Sequence, residues 1–183
     1  PYCSVKFAPH SATSMASAGG DRTVRLWDSR SARCTAPLVG HTHEVLSLDW
    51  NKYEPHTIAS ASADRSIMLW DTRRPNSVLS VLRGHRFAVR RVKFSPFARH
   101  QLCSASYDLS VGVWDVTPGC NSEPPQLLRH HTEFVTGIDF SLFAGSRSDP
   151  LWRLPVVLVL LLRLCCQVER GSLSKRRALR LTS

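Results

Sequence analysis

The chain has no Cys-x-x-Cys pair, no Gly-rich phosphate loop, no nucleophile elbow and no paired-carboxylate arrangement. Phosphate-loop, hydrolase-elbow and paired-acid chemistries therefore have no sequence support, and the chain reads as a non-enzyme without a cofactor. Its six cysteines (Cys3, Cys34, Cys103, Cys120, Cys165 and Cys166) form no disulfide framework, so a reducing compartment, the cytosol, is expected. The apolar run at residues 156–162, between Arg153 and Arg163, is too short for a bilayer, which needs roughly 20 residues, so stable membrane insertion is not expected. No segment up to Phe143 has the periodicity of a long helix.

What the chain does contain is a repeated unit. Trp27-Asp28, Trp70-Asp71 and Trp114-Asp115 end three similar segments, with the tryptophans 43 and 44 residues apart. His41 precedes Asp64 by 23 residues and Trp70 by 29, and His85 precedes Asp108 and Trp114 by the same two distances. A period of about 40–45 residues ending in Trp-Asp resembles the WD40 family, whose fold is a β-propeller of four-stranded blades. The resemblance implies a hydrogen-bonded chain in each blade: the Asp of the b–c turn, the His of the d–a loop, a Ser of strand b and the Trp of strand c. These would be Asp64, His41, Ser60 and Trp70 in one unit, and Asp108, His85, Ser104 and Trp114 in the next. The first unit shows Ser17, Asp21 and Trp27, and its His is expected upstream of Pro1.

Ser, His and Asp in one constellation also suggest a catalytic triad. An active site would be single, however, whereas this constellation recurs once per repeat, as a structural element should. Metal binding at His41/His43 or His130/His131 is not expected either, because neither pair sits at ligand spacing with a Cys pair.

The strand patterning follows the period. Residues 45–50, 89–94 and 135–140 read as strand a, 57–62 and 101–106 as strand b, 23–27 and 66–70 as strand c, and 78–82 as strand d. The expected architecture is all-β, a partial WD40 propeller occupying residues 1–143. It has blades at about 3–39, 45–82 and 89–129, and an incomplete fourth at 135–143 that amounts to a first strand. The fourth unit should continue to an Asp near position 154 and a Trp near 160, where Leu154 and Leu160 stand instead. A propeller closes with about 4–8 blades, so the chain is not expected to complete a ring by itself. Pro1 in place of an initiator Met suggests a fragment. Residues 144–183 share nothing with the repeats and are expected to be a disordered or aberrant tail, from a frameshift, retained intron or gene-model error.

Net charge is +10, but the tail carries eight basic residues against Asp149 and Glu169, which accounts for six of those charges. With only +4 left on the repeats, nucleic-acid binding is not inferred. A minor alternative places Lys175-Arg176-Arg177 against anionic lipid.

More specific phrases stand in the third and fourth units. Gly84-His85-Arg86-Phe87-Ala88-Val89-Arg90-Arg91-Val92-Lys93-Phe94-Ser95-Pro96-Phe97, Ser106-Tyr107-Asp108, His130-His131-Thr132-Glu133-Phe134 and Asp139-Phe140-Ser141-Leu142 resemble the C-terminal repeats of the WD-repeat peroxins. The likeness extends more loosely over about residues 2–143. It implies a receptor for the type-2 peroxisomal targeting signal, cytoplasmic and cycling to the peroxisome. Such a receptor binds cargo bearing a short N-terminal helix, together with an import co-receptor and peroxisomal docking proteins. On the face that carries the d–a and b–c loops, Glu44, Phe87, Tyr107, Glu133 and Phe134 are expected to contribute apolar surface and acid to such a helix. The family's final blade is missing here, so receptor activity is expected to be impaired.

An alternative uses Trp27-Asp28-Ser29-Arg30 and Trp70-Asp71-Thr72-Arg73. These Trp-Asp-x-Arg boxes resemble those of WD40 substrate receptors of cullin-4 ubiquitin ligases, with Arg30 and Arg73 as adaptor contacts. An exposed Arg in that position can equally pair with a neighbouring Asp.

Overall fold

A computed structural model describes residues 4–118 and 126–140. Among them there is no helix, and twelve strands form three antiparallel four-stranded sheets. Blade 1 runs β1 (Ser4–Phe7), β2 (Ser14–Ala18), β3 (Thr23–Asp28) and β4 (Arg33–Val39). Blade 2 runs β5 (Val45–Trp50), β6 (Thr57–Ser62), β7 (Ser66–Asp71) and β8 (Val78–Arg83). Blade 3 runs β9 (Val89–Phe94), β10 (Gln101–Ser106), β11 (Val111–Asp115) and β12 (Gln126–Leu128). Strand order equals sequence order in every sheet, and the fold is a partial β-propeller.

The hairpins between the second and third strands share one local cause. Arg22, Arg65 and Leu109 have φ of 68°, 69° and 66°, the left-handed region that non-glycine residues rarely adopt. In each turn the preceding Asp accepts the backbone N–H two residues on: Asp21 from Thr23 at 3.2 Å, Asp64 from Ser66 at 2.9 Å and Asp108 from Ser110 at 3.1 Å. This local hydrogen bond offsets the unfavourable backbone conformation and places the carboxylate at the loop end of the blade.

The core lies between the sheets. Ala16, Ala18 and Val24 of blade 1 pack against Leu48, Trp50, Ile58 and Trp70 of blade 2. Ala59, Ala61 and Ile67 pack against Val92, Phe94 and Trp114 of blade 3. Polar bonds cross the same boundaries. The Trp50 indole donates to the Lys6 carbonyl at 3.1 Å, the Phe94 N–H donates to Asp49 at 3.0 Å, and the Tyr53 hydroxyl donates to the Pro96 carbonyl at 2.8 Å.

Two expectations differ in detail. Strands 23–27, 66–70 and 78–82 each extend one residue further, to Asp28, Asp71 and Arg83, because the ladders continue through those positions. Residues 135–140 do not form a strand: they occupy the strand-a position but have no strand b to bond with among the described residues. Val135, Ile138 and Phe140 are nevertheless buried against Cys103, Ala105 and Val111 of blade 3, and Asp139 is ion-paired with Lys93. The expectations for residues 141–183, for Cys3, Cys120, Cys165 and Cys166, and for the 119–125 part of blade 3 lie outside the described residues.

Candidate functional site

The loop end of the propeller carries the polar networks. In blade 2 the Trp70 indole N–H donates to Ser60 Oγ at 2.8 Å, Ser60 Oγ lies 2.7 Å from His41 Nε2, and His41 Nδ1 lies 2.8 Å from Asp64. Blade 3 repeats this through Trp114, Ser104, His85 and Asp108 at 2.7, 2.6 and 3.0 Å. One donor sequence satisfies every member: indole N–H to serine oxygen, serine O–H to Nε2 of a neutral imidazole, and Nδ1–H to the carboxylate.

Electrostatics agree with that proton arrangement. Burial lowers the His85 pKa and outweighs the opposing pull of Asp108, which keeps the ring neutral. Burial would raise the Asp108 carboxyl, but hydrogen bonds from the Ser110 hydroxyl, the Arg86 N–H and His85 hold it at about 2. The Asp64 carboxyl is likewise held well below the usual range, with burial opposed by His41 and by the Ser66 hydroxyl and N–H. Both nitrogens of each imidazole are engaged and both rings are buried, so neither His can reach a substrate proton. Among the described residues no buried side-chain polar atom lacks a partner, and no group of three or more His, Cys, Asp or Glu side chains could hold a metal ion.

The networks include groups that the sequence reading did not assign to them. Ser62 Oγ donates to the Glu44 carbonyl at 2.8 Å and accepts from the Asp64 N–H at 3.1 Å, and Ser106 does the same with the Ala88 carbonyl and Asp108 N–H at 3.0 and 3.2 Å. Ser66 and Ser110 donate their hydroxyls to the same aspartates. Both serine pairs are 44 residues apart, so the period itself carried the signal. Blade 1 differs. Trp27 donates to Ser17 at 2.8 Å, but Asp21 is bonded to Thr23 and, at 2.7 Å, to Arg25 on the surface.

Of the five residues expected to meet a helix, the structure brings two into contact. The Tyr107 and Phe134 rings lie 5.3 Å apart, tilted by 59°. Phe134 and Phe87 are 63% and 60% exposed, and Glu44 and Glu133 are exposed on the same class of d–a loop. The backbone under them is held: the Phe87 carbonyl accepts from Ser106 Oγ at 3.2 Å, and the Glu44 carbonyl accepts from the Ala63 N–H at 2.9 Å. The loop floor thus carries exposed aromatic and acidic side chains over hydrogen-bonded backbone. On the opposite end, the Arg73 guanidinium clamps Asp71 through Nε and a terminal nitrogen at 2.9–3.2 Å. Arg30 contributes its backbone N–H to Asp28 at 3.0 Å.

Four-stranded antiparallel sheets in sequence order, joined by loops that repeat one buried Trp-Ser-His-Asp chain, define a repeat protein of the β-propeller class. The WD domain, G-beta repeat family matches residues 2–28, 32–71 and 76–115, more than half of the chain. The chain belongs to the WD40 repeat family. It is also similar to ribosome assembly protein 4 of Chaetomium thermophilum, with 39% identity over 51 residues, which cover 28% of this chain and 10% of that protein. The chain therefore spans about a tenth of the length of that relative. No helix among the described residues is long and apolar enough to cross a membrane.

Proposed function

We propose that this WD40 chain is a non-catalytic binding module that receives a short helical segment of a partner protein on its d–a and b–c loop face. At the finer level, the segment is the type-2 peroxisomal targeting signal of cargo proteins. The observation that carries the reading is the Tyr107–Phe134 ring pair beside Glu133 on that face. An amphipathic helix needs an apolar seat and, for its basic residue, a local acid; the aromatic pair and Glu133 have the required chemistry. In this reading the protein acts in the cytoplasm and delivers cargo to peroxisomal docking proteins with an import co-receptor. The peroxin-like wording of residues 84–97 and 130–134 supports the choice of signal.

The cullin-4 adaptor reading has less support, since Arg73, one of its two contacts, spends its guanidinium on Asp71.

The test is fluorescence polarisation with a labelled type-2 signal peptide. Binding is expected to weaken about tenfold, roughly 1.4 kcal/mol, on Glu133→Lys and on Phe134→Ala. The reading fails if the peptide and a control with its basic residue reversed to Glu bind equally.

A further inference from the structure

The connections between third and fourth strands differ between blades 1 and 2. The blade 1 connection, residues 29–32, has four residues, and the blade 2 connection, residues 72–77, has six. The longer one contains two successive turns. The Arg74 N–H donates to the Asp71 carbonyl at 2.9 Å, and the Ser77 N–H donates to the Arg74 carbonyl at 3.1 Å. Arg74-Pro75-Asn76-Ser77 is thus a β-turn with proline at its second position, where the fixed φ of proline suits the turn. The first and fourth residues of such a turn have Cα atoms within about 7 Å, so Arg74 and Ser77 stand side by side.

Both residues are exposed. The Ser77 hydroxyl donates to the Arg74 carbonyl at 3.3 Å, a long bond for a hydroxyl donor. The Arg74 guanidinium has no partner among the described residues. Arg73, beside it, is 68% exposed and turned onto Asp71, and residues 72–77 contain no acid of their own. The blade 1 connection lacks this arrangement: Leu26 and Asp28, not arginines, stand three residues before Ser29 and Ser31, and the Ser31 hydroxyl is bonded to the Asp28 carboxylate.

We propose that Ser77 is a phosphorylation site for a basophilic protein kinase, one that selects a serine with an arginine three residues before it, and that the phosphate is then held by the Arg74 guanidinium across the turn. Ser77 Oγ attacks the γ-phosphorus of ATP, the bond from that phosphorus to the β–γ bridging oxygen breaks to release ADP, and the hydroxyl proton passes to the catalytic base of the kinase. An acidic kinase groove can take the Arg74 guanidinium without breaking any ion pair within this chain, and Arg73 adds a second positive charge. After transfer, Ser77 carries a charge of about −1.5 to −2 and three strong acceptor oxygens beside an unengaged guanidinium. Charge-assisted bonds between them would close the turn that joins β7 to β8. The site lies on the end opposite the d–a and b–c loop face, so it goes beyond the proposed function and does not depend on it.

The test incubates the full 183-residue chain in its folded state with ATP and calcium/calmodulin-dependent protein kinase, which selects arginine three residues before its acceptor, and locates the phosphate by peptide mass spectrometry. Phosphate is expected on Ser77, and Ser77→Ala should remove it. Arg74→Ala should lower kcat/KM for the transfer at least about tenfold, and Arg74→Lys should lower it less. Neither Arg74 variant should alter the circular dichroism, since its guanidinium has no partner among the described residues. Amide exchange over residues 76–80 should slow at least about twofold on phosphorylation, and phosphorylated Arg74→Ala should show no such slowing. Phosphate that reaches Ser77 only after the chain is denatured, phosphate on Thr132 behind Arg129 in its place, a transfer rate indifferent to Arg74→Ala, or exchange unchanged by the phosphate would overturn the proposal.

Discussion

His85 Nδ1 lies 3.0 Å from the carboxylate of Asp108, and the pair is almost sealed from solvent, with side chains 0% and 5% exposed. In blade 1 the equivalent aspartate, Asp21, faces solvent with Arg25. This contrast separates the energetic roles of chemically identical aspartates. Asp108→Ala would strand the His85 N–H, the Arg86 N–H and the Ser110 hydroxyl, and is expected to cost about 3 kcal/mol in urea unfolding. Asp21→Ala should cost less than about 1 kcal/mol. Equal losses would remove the distinction.

The same pair sets an acid response. The His85 pKa is lowered in the fold, so on acidification the unfolded chain takes up a proton there before the folded chain does. Its contribution is complete above the unfolded value of about 6.5 and is lost as pH falls from there toward the lowered folded value. Asp108, held at about 2, contributes above its unfolded value of about 3.9 and loses that contribution as pH falls through about 2. Melting temperature should therefore decline first below pH ~6.5 and again below pH ~4. A flat profile between pH ~7.5 and ~5 would contradict the neutral buried imidazole.

Gly40 sits where blade 1 turns toward blade 2, and a Cβ there would come within 2.8 Å of the Trp70 ring and 3.3 Å of Met68 Sδ. Trp70 is fully buried and tied to Ser60, so it cannot swing aside. Gly40→Ala is expected to destabilise by about 1–3 kcal/mol, read as a lowered denaturation midpoint with unchanged slope.

Asp139→Asn removes the ion pair with Lys93 while leaving Val135, Ile138 and Phe140 in their pocket. The expected result is faster amide exchange over 135–140 with a global stability change below about 1 kcal/mol, because the pair is partly exposed. Unaltered exchange would show that the apolar contacts alone hold the segment.

Burial pushes the Cys103 thiol up to about 12, whereas Cys34 is exposed. Alkylation at pH ~8 followed by peptide mass spectrometry should label Cys34 and spare Cys103 until the chain is denatured.

Much of the fold was legible because its causes are local or periodic. Strands 45–50, 57–62, 89–94 and 101–106 stand at the bounds read from alternation, and the Asp-containing turns form with bonds that span two residues. The site was less legible. Glu44, Phe87, Tyr107, Glu133 and Phe134 could be placed on one face by position, but that Tyr107 meets Phe134 depends on how a b–c turn and the next d–a loop approach across a blade boundary.

By itself, then, the sequence determined the repeat, the strand content and which Trp, Ser, His and Asp could share a network, since a 43- to 44-residue period returns the same short-range interactions to the same places. Tertiary structure alone decided what the repeats do to one another. Asp49 caps the Phe94 N–H of the next sheet, Tyr53 donates to the Pro96 carbonyl of that sheet, and residues 135–140 pack like a strand without a ladder among the described residues. These outcomes depend on which neighbour stands beside each blade, and that neighbour lies some forty residues away in the chain, beyond the reach of local patterning.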